Sequence, residues 1–331
     1  MVADWPAAIA AGWHPVAFSA SVGVRPVAAR LMGRRLVVAR DADGPFLLDD
    51  RCPHRGAPLS RGRMESGAIV CPYHGWRFGR GGDCLEVPGS RLPGAAARAL
   101  PSVDRAGLLW TSLAESPGPF PRLPDALEDP SLDRFWWPLG PSPAGLLDAI
   151  ENHLDPAHPH QVHPWMVRSP SRRRPVEVSV RSGPWGAEAV YLEGSTPAGL
   201  IPRLLEGKRA RSLARFYPPS IAEVAFEGER GLKLSVAVIF GPEDEGLTRP
   251  WAHFATRRGL APAWLKRAVL KAFHLPVLTQ DRRILRLQQE WRQGEAPHYA
   301  TGPLDVMGPT IWRLANGLAE PEAERSLTME L

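Results

Sequence analysis

Residues 71–78 read CPYHGWRF, and an earlier loop, residues 51–62, reads RCPHRGAPLSRG. Each supplies one cysteine and one histidine: Cys52 and His54 in the first, Cys71 and His74 in the second, with sixteen residues between His54 and Cys71. Two thiolates and two imidazoles can hold a zinc ion tetrahedrally. They can also hold a [2Fe–2S] cluster in which two histidines replace two cysteines on one iron. Spacing bears on the choice. Structural zinc sites more often use paired C-x₂₋₄-C and H-x₃₋₅-H ligands, whereas here each loop gives one Cys and one His, the same partition twice. Gly56 and Gly75 follow the histidines closely, where backbone must pass near a metal group. Trp76 is placed to shield one side, and Cys84 is a spare thiol suited to packing.

Around these loops, residues 13–113 form short apolar or alternating runs, among them PVAFSAS, RPVAARLMG, RRLVVARD and GPFLLDD, set between Gly and Asp turns. A proline-rich connector at 115–130 marks a boundary. The expected organisation is an all-β domain over 1–115 and a second domain over 116–331, α+β in class. In the second domain FWWPLG leads into a helix over 146–155. Strands are expected near 176–181, 189–193, 213–216, 222–227, 232–240 and 253–256. A long helix is expected over 266–291, with Pro276 bending or dividing it and Leu270, Phe273, Leu278, Ile284, Leu285 and Leu287 as its apolar stripe. Residues 320–331 read as a polar, frayed tail.

Hydrophobic content of 44% and charged content of 23% belong to the globular class, and 331 residues leave room for two cores. No run approaches the roughly 18 apolar residues of a membrane span, and the first residues, MVADWPAAIAAGWHPV, lack the basic start of a signal peptide. Three cysteines argue against a disulfide framework, so the cytoplasm is the expected compartment. The net charge of +5 is scattered, with arginines densest at 168–174, which reads as a solvated loop and not as a nucleic-acid face. It permits an acidic substrate, such as a carboxylated aromatic, or an acidic redox partner.

The other dense stretch is ENHLDPAHPHQVHP, residues 151–164, which holds four of the ten histidines: His153, His158, His160 and His163. Neutral imidazole is the commonest side-chain metal ligand, and a nearby carboxylate such as Asp155 can orient a ring. Pro156, Pro159 and Pro164 impose a broken exit that can aim His158 and His163 at one point.

The loops, CPYHGW above all, resemble the Rieske iron–sulfur motif. Followed by Asn152-x₂-Asp155-x₂-His158-x₄-His163, they resemble the catalytic α subunits of the Rieske non-haem iron oxygenases over essentially the whole chain. The short N-x₂-D spacing looks like the monooxygenase and demethylase branch with the phaeophorbide oxygenase-like proteins. The resemblance implies a [2Fe–2S] cluster on Cys52, His54, Cys71 and His74, and a mononuclear Fe(II) on His158 and His163. Its third ligand is expected at Asp281, with Asp305 and Glu290 as rivals. Asp155 and Asn152 are the implied catalytic residues, Asp155 bridging a cluster histidine and an iron histidine without binding metal, while His153 and His160 stand outside the ligand set. Pro159 departs from the aliphatic residue expected after the first ligand. The second domain should be a helix-grip fold whose antiparallel sheet wraps an apolar cavity, with Trp251, Phe254 and Tyr217 as candidate lining. The implied partners are O₂, a small substrate, NAD(P)H acting through a separate ferredoxin or reductase, and two further copies of the chain in a homotrimer; no nucleic acid or membrane is implied. An electron carrier without its own oxygenation chemistry, or a zinc-dependent hydrolase, are the other readings.

Overall fold

The computed structural model describes the chain except residues 1–4, 93, 195–198, 201–207, 260 and 293–299. It divides into two compact units. One comprises Ala10–Phe120 with Gly241–Glu245; the other comprises Pro121–Phe240 and Gly246–Leu331, joined by Pro6–Ile9.

The first unit is all-β among its described residues. Strands β1 (His14–Phe18), β2 (Val27–Leu31), β3 (Arg34–Asp41), β4 (Gly44–Asp49), β5 (Arg63–Glu65), β6 (Ala68–Val70), β7 (Arg77–Phe78), β8 (Cys84–Glu86), β9 (Ala99–Leu100), β10 (Ser102–Arg105) and β11 (Leu108–Thr111) form three antiparallel sheets, ordered β1-β11-β10, β2-β3-β4-β9 and β5-β6-β7-β8. The buried faces of β3, β4 and β6 (Val37, Ala39, Phe46, Leu48 and Ile69) pack with Phe78 and Leu59 around Cys52 and Cys71. The two cysteine loops are therefore the β4–β5 and β6–β7 connections, held by one core.

In the second unit β12 (Leu132–Pro138), β13 (Pro175–Gly183), β14 (Gly186–Leu192), β15 (Arg211–Tyr217), β16 (Ile221–Gly228), β17 (Gly231–Asp244), β18 (Leu247–Arg257) and β19 (Ala323–Glu330) form one eight-stranded sheet, ordered β12-β18-β17-β16-β15-β14-β13-β19. The tail expected to fray is in fact β19. It pairs antiparallel with β13 from Pro175↔Glu330 to Ser182↔Ala323, and its backbone ladder supplies what its mostly exposed side chains do not.

Helices α1 (Leu146–Leu154), α2 (Pro159–Val162), α3 (Ala263–Trp291) and α4 (Gly308–Ala315) complete this unit. Pro276 does not divide α3, which runs unbroken for 29 residues. Its apolar stripe is only partly covered: Leu270 and Leu285 are buried, while Ile284 and Leu287 are exposed. Polar tethers position the helix. Lys266 Nζ donates to Asp133 on β12 at 2.7 Å, and Arg292 grips Asp148 on α1 through two bonds of 2.6 and 2.7 Å. The second tether sets α1 beside α3, so the chain leaving α1 meets the middle of α3. No helix among the described residues is long and apolar enough to cross a membrane.

Candidate metal centres

The first centre lies on the two hairpin-like loops. Cys52 and Cys71 are both 2% exposed, so their sulfurs sit inside the unit. His54 and His74 lie on the solvent side, ring centroids 4.6 Å apart, and Trp76 stacks on His54 at 4.7 Å with the planes 5° apart. The loops close in the same way: Gly56 N–H donates to Cys52 C=O, and Gly75 N–H to Cys71 C=O. Both glycines take left-handed backbone, with φ of +74° and +73°, which an L side chain resists. Burial, and then the Cys71 side chain, push the Cys52 thiol up. Two sulfurs this dry and this close suit a cationic metal group that binds them as thiolates. Cys84 packs against this core outside the set.

The second centre begins where α1 ends. Asp155 closes α1, and its carboxylate accepts the N–H groups of Ala157 (2.7 Å) and His158 (3.1 Å), which turns the chain into α2. Pro159 is no anomaly: it occupies the first turn of α2, where its missing N–H costs nothing. His158 precedes that helix and His163 follows it, the two rings 5.2 Å apart and nearly perpendicular. Asp281 reaches them from α3, with Oδ1 2.8 Å from His163 Nε2 and 3.5 Å from His158 Nε2. These are the only three His, Cys, Asp or Glu residues among the described residues whose ligand atoms cluster within 4.8 Å. Ligands about 2.1 Å from one ion on one octahedral face stand about 3 Å apart, so the spacing fits.

Hydrogen bonding makes the fit more specific. His163 Nδ1 lies 2.8 Å from the Gln280 side-chain carbonyl oxygen, which can only accept, so the ring proton is on Nδ1 and Nε2 carries a lone pair. That lone pair faces Asp281 Oδ1, and both atoms are buried without a hydrogen-bond partner among the described residues. Two such atoms 2.8 Å apart accommodate a positive centre between them, a shared proton or a metal ion. Burial opposes charge on Asp281, but His158 and His163 outweigh it and hold the carboxyl down at about 2. Burial likewise disfavours a charged His158, yet Asp155 and Asp281 on either side push it up to about 9. The group is built to hold added positive charge.

The other histidines of the stretch lie outside the cluster. His160 is buried, its Nδ1 2.7 Å from Ser169 C=O, and His153 Nε2 lies 3.2 Å from Val236 C=O. Asn152 lines the same space as the metal group. Glu290 is exposed near the end of α3, and Asp305 binds Gly302 N–H in a loop, so neither rival joins the cluster.

A cavity of about 240 Å³ opens beside the group, between the sheet and α3. Alternating residues Val224 and Phe226, Val236 and Val238, and Ala252 and Phe254 wall it from β16, β17 and β18, and Val277 and Leu278 from α3. Phe254 thus lines it as expected. Trp251 and Tyr217 do not: Trp251 is buried outside it, and Tyr217 donates to Glu223 at 3.0 Å beside a separate groove. Sequence reasoning missed His274, which lines the cavity with Nδ1 bonded to Leu270 C=O, and the Gln280 support of His163.

Residues 12–100 match the model of the Rieske [2Fe–2S] domain, and residues 144–319, over half the chain, match that of the vanillate O-demethylase oxygenase C-terminal domain. The chain belongs to the Rieske non-haem iron oxygenases. Members of this family carry a [2Fe–2S] cluster and a mononuclear non-haem iron and use O₂. The relatives of this family member include the chloroplastic pheophorbide a oxygenase of Arabidopsis thaliana, 34% identical over 203 residues, covering 53% of this chain and 36% of the relative. Another is the 5,5'-dehydrodivanillate O-demethylase oxygenase subunit of a Sphingobium strain, 32% identical, covering 55% of this chain and 43% of the relative. The matches thus span about a third to a half of these curated relatives. NdmA of Pseudomonas putida CBB5, solved with caffeine, shares the fold with a TM-score of 0.79 at 23% identity, over 92% of this chain and 90% of its own. Dicamba monooxygenase bound to dicamba shares it at 0.78 and 20%, over 93% and 97%.

Proposed function

We propose that this chain is the oxygenase component of a system that uses O₂ and externally supplied electrons to hydroxylate, or O- or N-demethylate, a small aromatic or alicyclic substrate. The convergence of His158, His163 and Asp281 at the wall of an apolar cavity, in a chain that also has a Rieske domain, carries this reading. The demethylase and oxygenase names of its relatives support it.

Cys52, His54, Cys71 and His74 are assigned to the cluster, and His158, His163 and Asp281 to Fe(II). Bound there, the cluster supplies single electrons, and the iron, held on one face by two imidazoles and a carboxylate, supplies open positions for oxygen chemistry. This chain's residues set the conditions. Gln280 fixes the His163 proton on Nδ1 and keeps Nε2 free for metal. Asp155 holds the turn that aims His158 and faces its Nδ1 at 3.4 Å. Phe254, Leu278 and the paired valines keep water from the bound substrate, which needs no metal bond of its own. Asn152 is assigned a place beside the reacting carbon.

Electrons would come from NAD(P)H through a separate ferredoxin or flavin/iron–sulfur reductase, in the cytoplasm, where three unpaired cysteines are at home. A head-to-tail homotrimer would bring the cluster of one copy to the Asp155 of the next. Mixing copies with His74→Ala and copies with Asp281→Ala should then restore activity at about a quarter of the directed interfaces, although neither parent is active. A verified mixed oligomer without activity refutes the inter-subunit route. The enzyme reading itself predicts brown protein with about three irons per chain and substrate-stimulated O₂ uptake, with formaldehyde from methoxy compounds. Brown protein with about two irons would indicate an electron carrier, and colourless zinc protein a hydrolase.

A further inference from the structure

The cavity is not uniformly apolar. Arg168, Tyr191, Glu193, Arg209 and Ser212 line it together, brought from the loop after α2, from the end of β14 and from the approach to β15. Arg209 Nη1 lies 3.4 Å from both Glu193 oxygens, Ser212 donates to Glu193 at 2.6 Å, and the Arg209 guanidinium lies 3.9 Å over the Phe226 ring. Glu193 and Arg209 are each only 4% exposed. Arg168 is engaged more lightly: its one ion pair among the described residues is to Glu193 Oε1 at 3.5 Å, and its side chain keeps 17% exposure.

Arg168 and Arg209 both face Glu193, but the strong contacts of that carboxylate go to Arg209 and Ser212, and Arg168 meets it only at 3.5 Å. Beside this group the Tyr191 hydroxyl, on a side chain 3% exposed, has no hydrogen-bond partner among the described residues. A buried donor left without an acceptor is costly, so such a group persists where a ligand completes it. An under-used guanidinium and an unpaired O–H on one apolar cavity describe a receptor for an anionic oxygen pair.

We propose that this cavity selects substrates bearing a carboxylate, bound by Arg168 with the Tyr191 hydroxyl, while their apolar body lies against Phe226, Val236 and Phe254. This rests on the oxygenase reading and names its substrate class. Arg209 and Ser212 are positioning residues: they hold Glu193, which holds Arg168 at the cavity wall.

Anaerobic calorimetric titration of the holoprotein with 4-methoxybenzoate, 4-isopropylbenzoate and 2-naphthoate, each against its primary amide, tests the proposal. Acids should bind at least about tenfold more tightly than the amides. Arg168→Gln should shrink that preference below about threefold, with cluster absorbance and iron content unchanged, while Arg168→Lys keeps part of it. Tyr191→Phe should weaken acids by a smaller factor. Amides binding as well as acids, a preference that survives Arg168→Gln, or no binding of any acid would overturn the proposal. O₂ uptake on the same compounds separates the two levels. Uptake stimulated only by neutral compounds refutes the carboxylate and leaves the oxygenase standing, whereas no uptake with a missing third iron refutes the oxygenase reading itself.

Discussion

The four donors proposed for the cluster all come from residues 52–74, two connections on one small β-core that leave both histidines on the solvent side. The mononuclear group draws two histidines from the ends of one short helix and a carboxylate from a second helix, with 117 residues separating His163 from Gln280 beside that carboxylate. One centre is closed by local turns, the other by tertiary tethers such as Arg292–Asp148. The first should therefore tolerate damage elsewhere in the chain, and the second should answer to residues that never touch a metal.

The largest effect is expected from Asp281→Ala. It removes the only anionic member of the ligand set, so turnover should fall to background while the cluster's visible absorbance stays. Steady-state O₂ uptake beside a spectrum checks both halves. Asp155→Asn comes next. Asparagine can still accept a backbone N–H and keep the turn, but it loses the charge facing His158, so a drop of about 10- to 100-fold in turnover with both metals retained is expected. A stopped-flow record in which its cluster reoxidises at the normal rate with substrate and O₂ would break that assignment.

How much of this the sequence disclosed follows the same division. Cys52, His54, Cys71 and His74 could be proposed from the sequence because their spacing is local and the glycines mark the tight backbone. The placing of Asp281 beside the two histidines could be expected only through family resemblance; nothing periodic in α3 singles it out. Arg168, Arg209 and the Tyr191–Glu193 pair were invisible, because these three segments meet only across the folded cavity. Among the histidines, composition made four candidates of one stretch and the resemblance singled out His158 and His163; the backbone geometry turns the His160 ring away to Ser169. β19 escaped detection for the opposite reason: its side chains are polar and exposed, and its strand character lies in the β13 ladder.

A smaller effect sharpens the contrast. Gln280→Ala removes the acceptor that sets the His163 tautomer, so iron affinity should fall about tenfold, read by competition with a chelator, with the cluster untouched. Smaller still is an acid effect confined to the second unit. Burial holds His253 down at about 4, edge-on to Trp136. The folded state thus binds fewer protons than the unfolded between about 6.5 and 4. The stability this neutral ring contributes is full above about 6.5 and is lost as pH falls toward 4, an amount on the order of 3 kcal/mol. Denaturant melts at pH 7.5 and 4.5 should show this increment shrink in His253→Gln, while the cluster unit's transition shows no such dependence on that residue.

His158, His163 and Asp281 are proposed to hold an iron distinct from the cluster. Iron quantification beside cluster absorbance, on the wild type and on Asp281→Ala, tests it most directly. About three irons per chain should fall to about two, with the cluster spectrum unchanged. About two irons in both proteins, or about three in both, would contradict it.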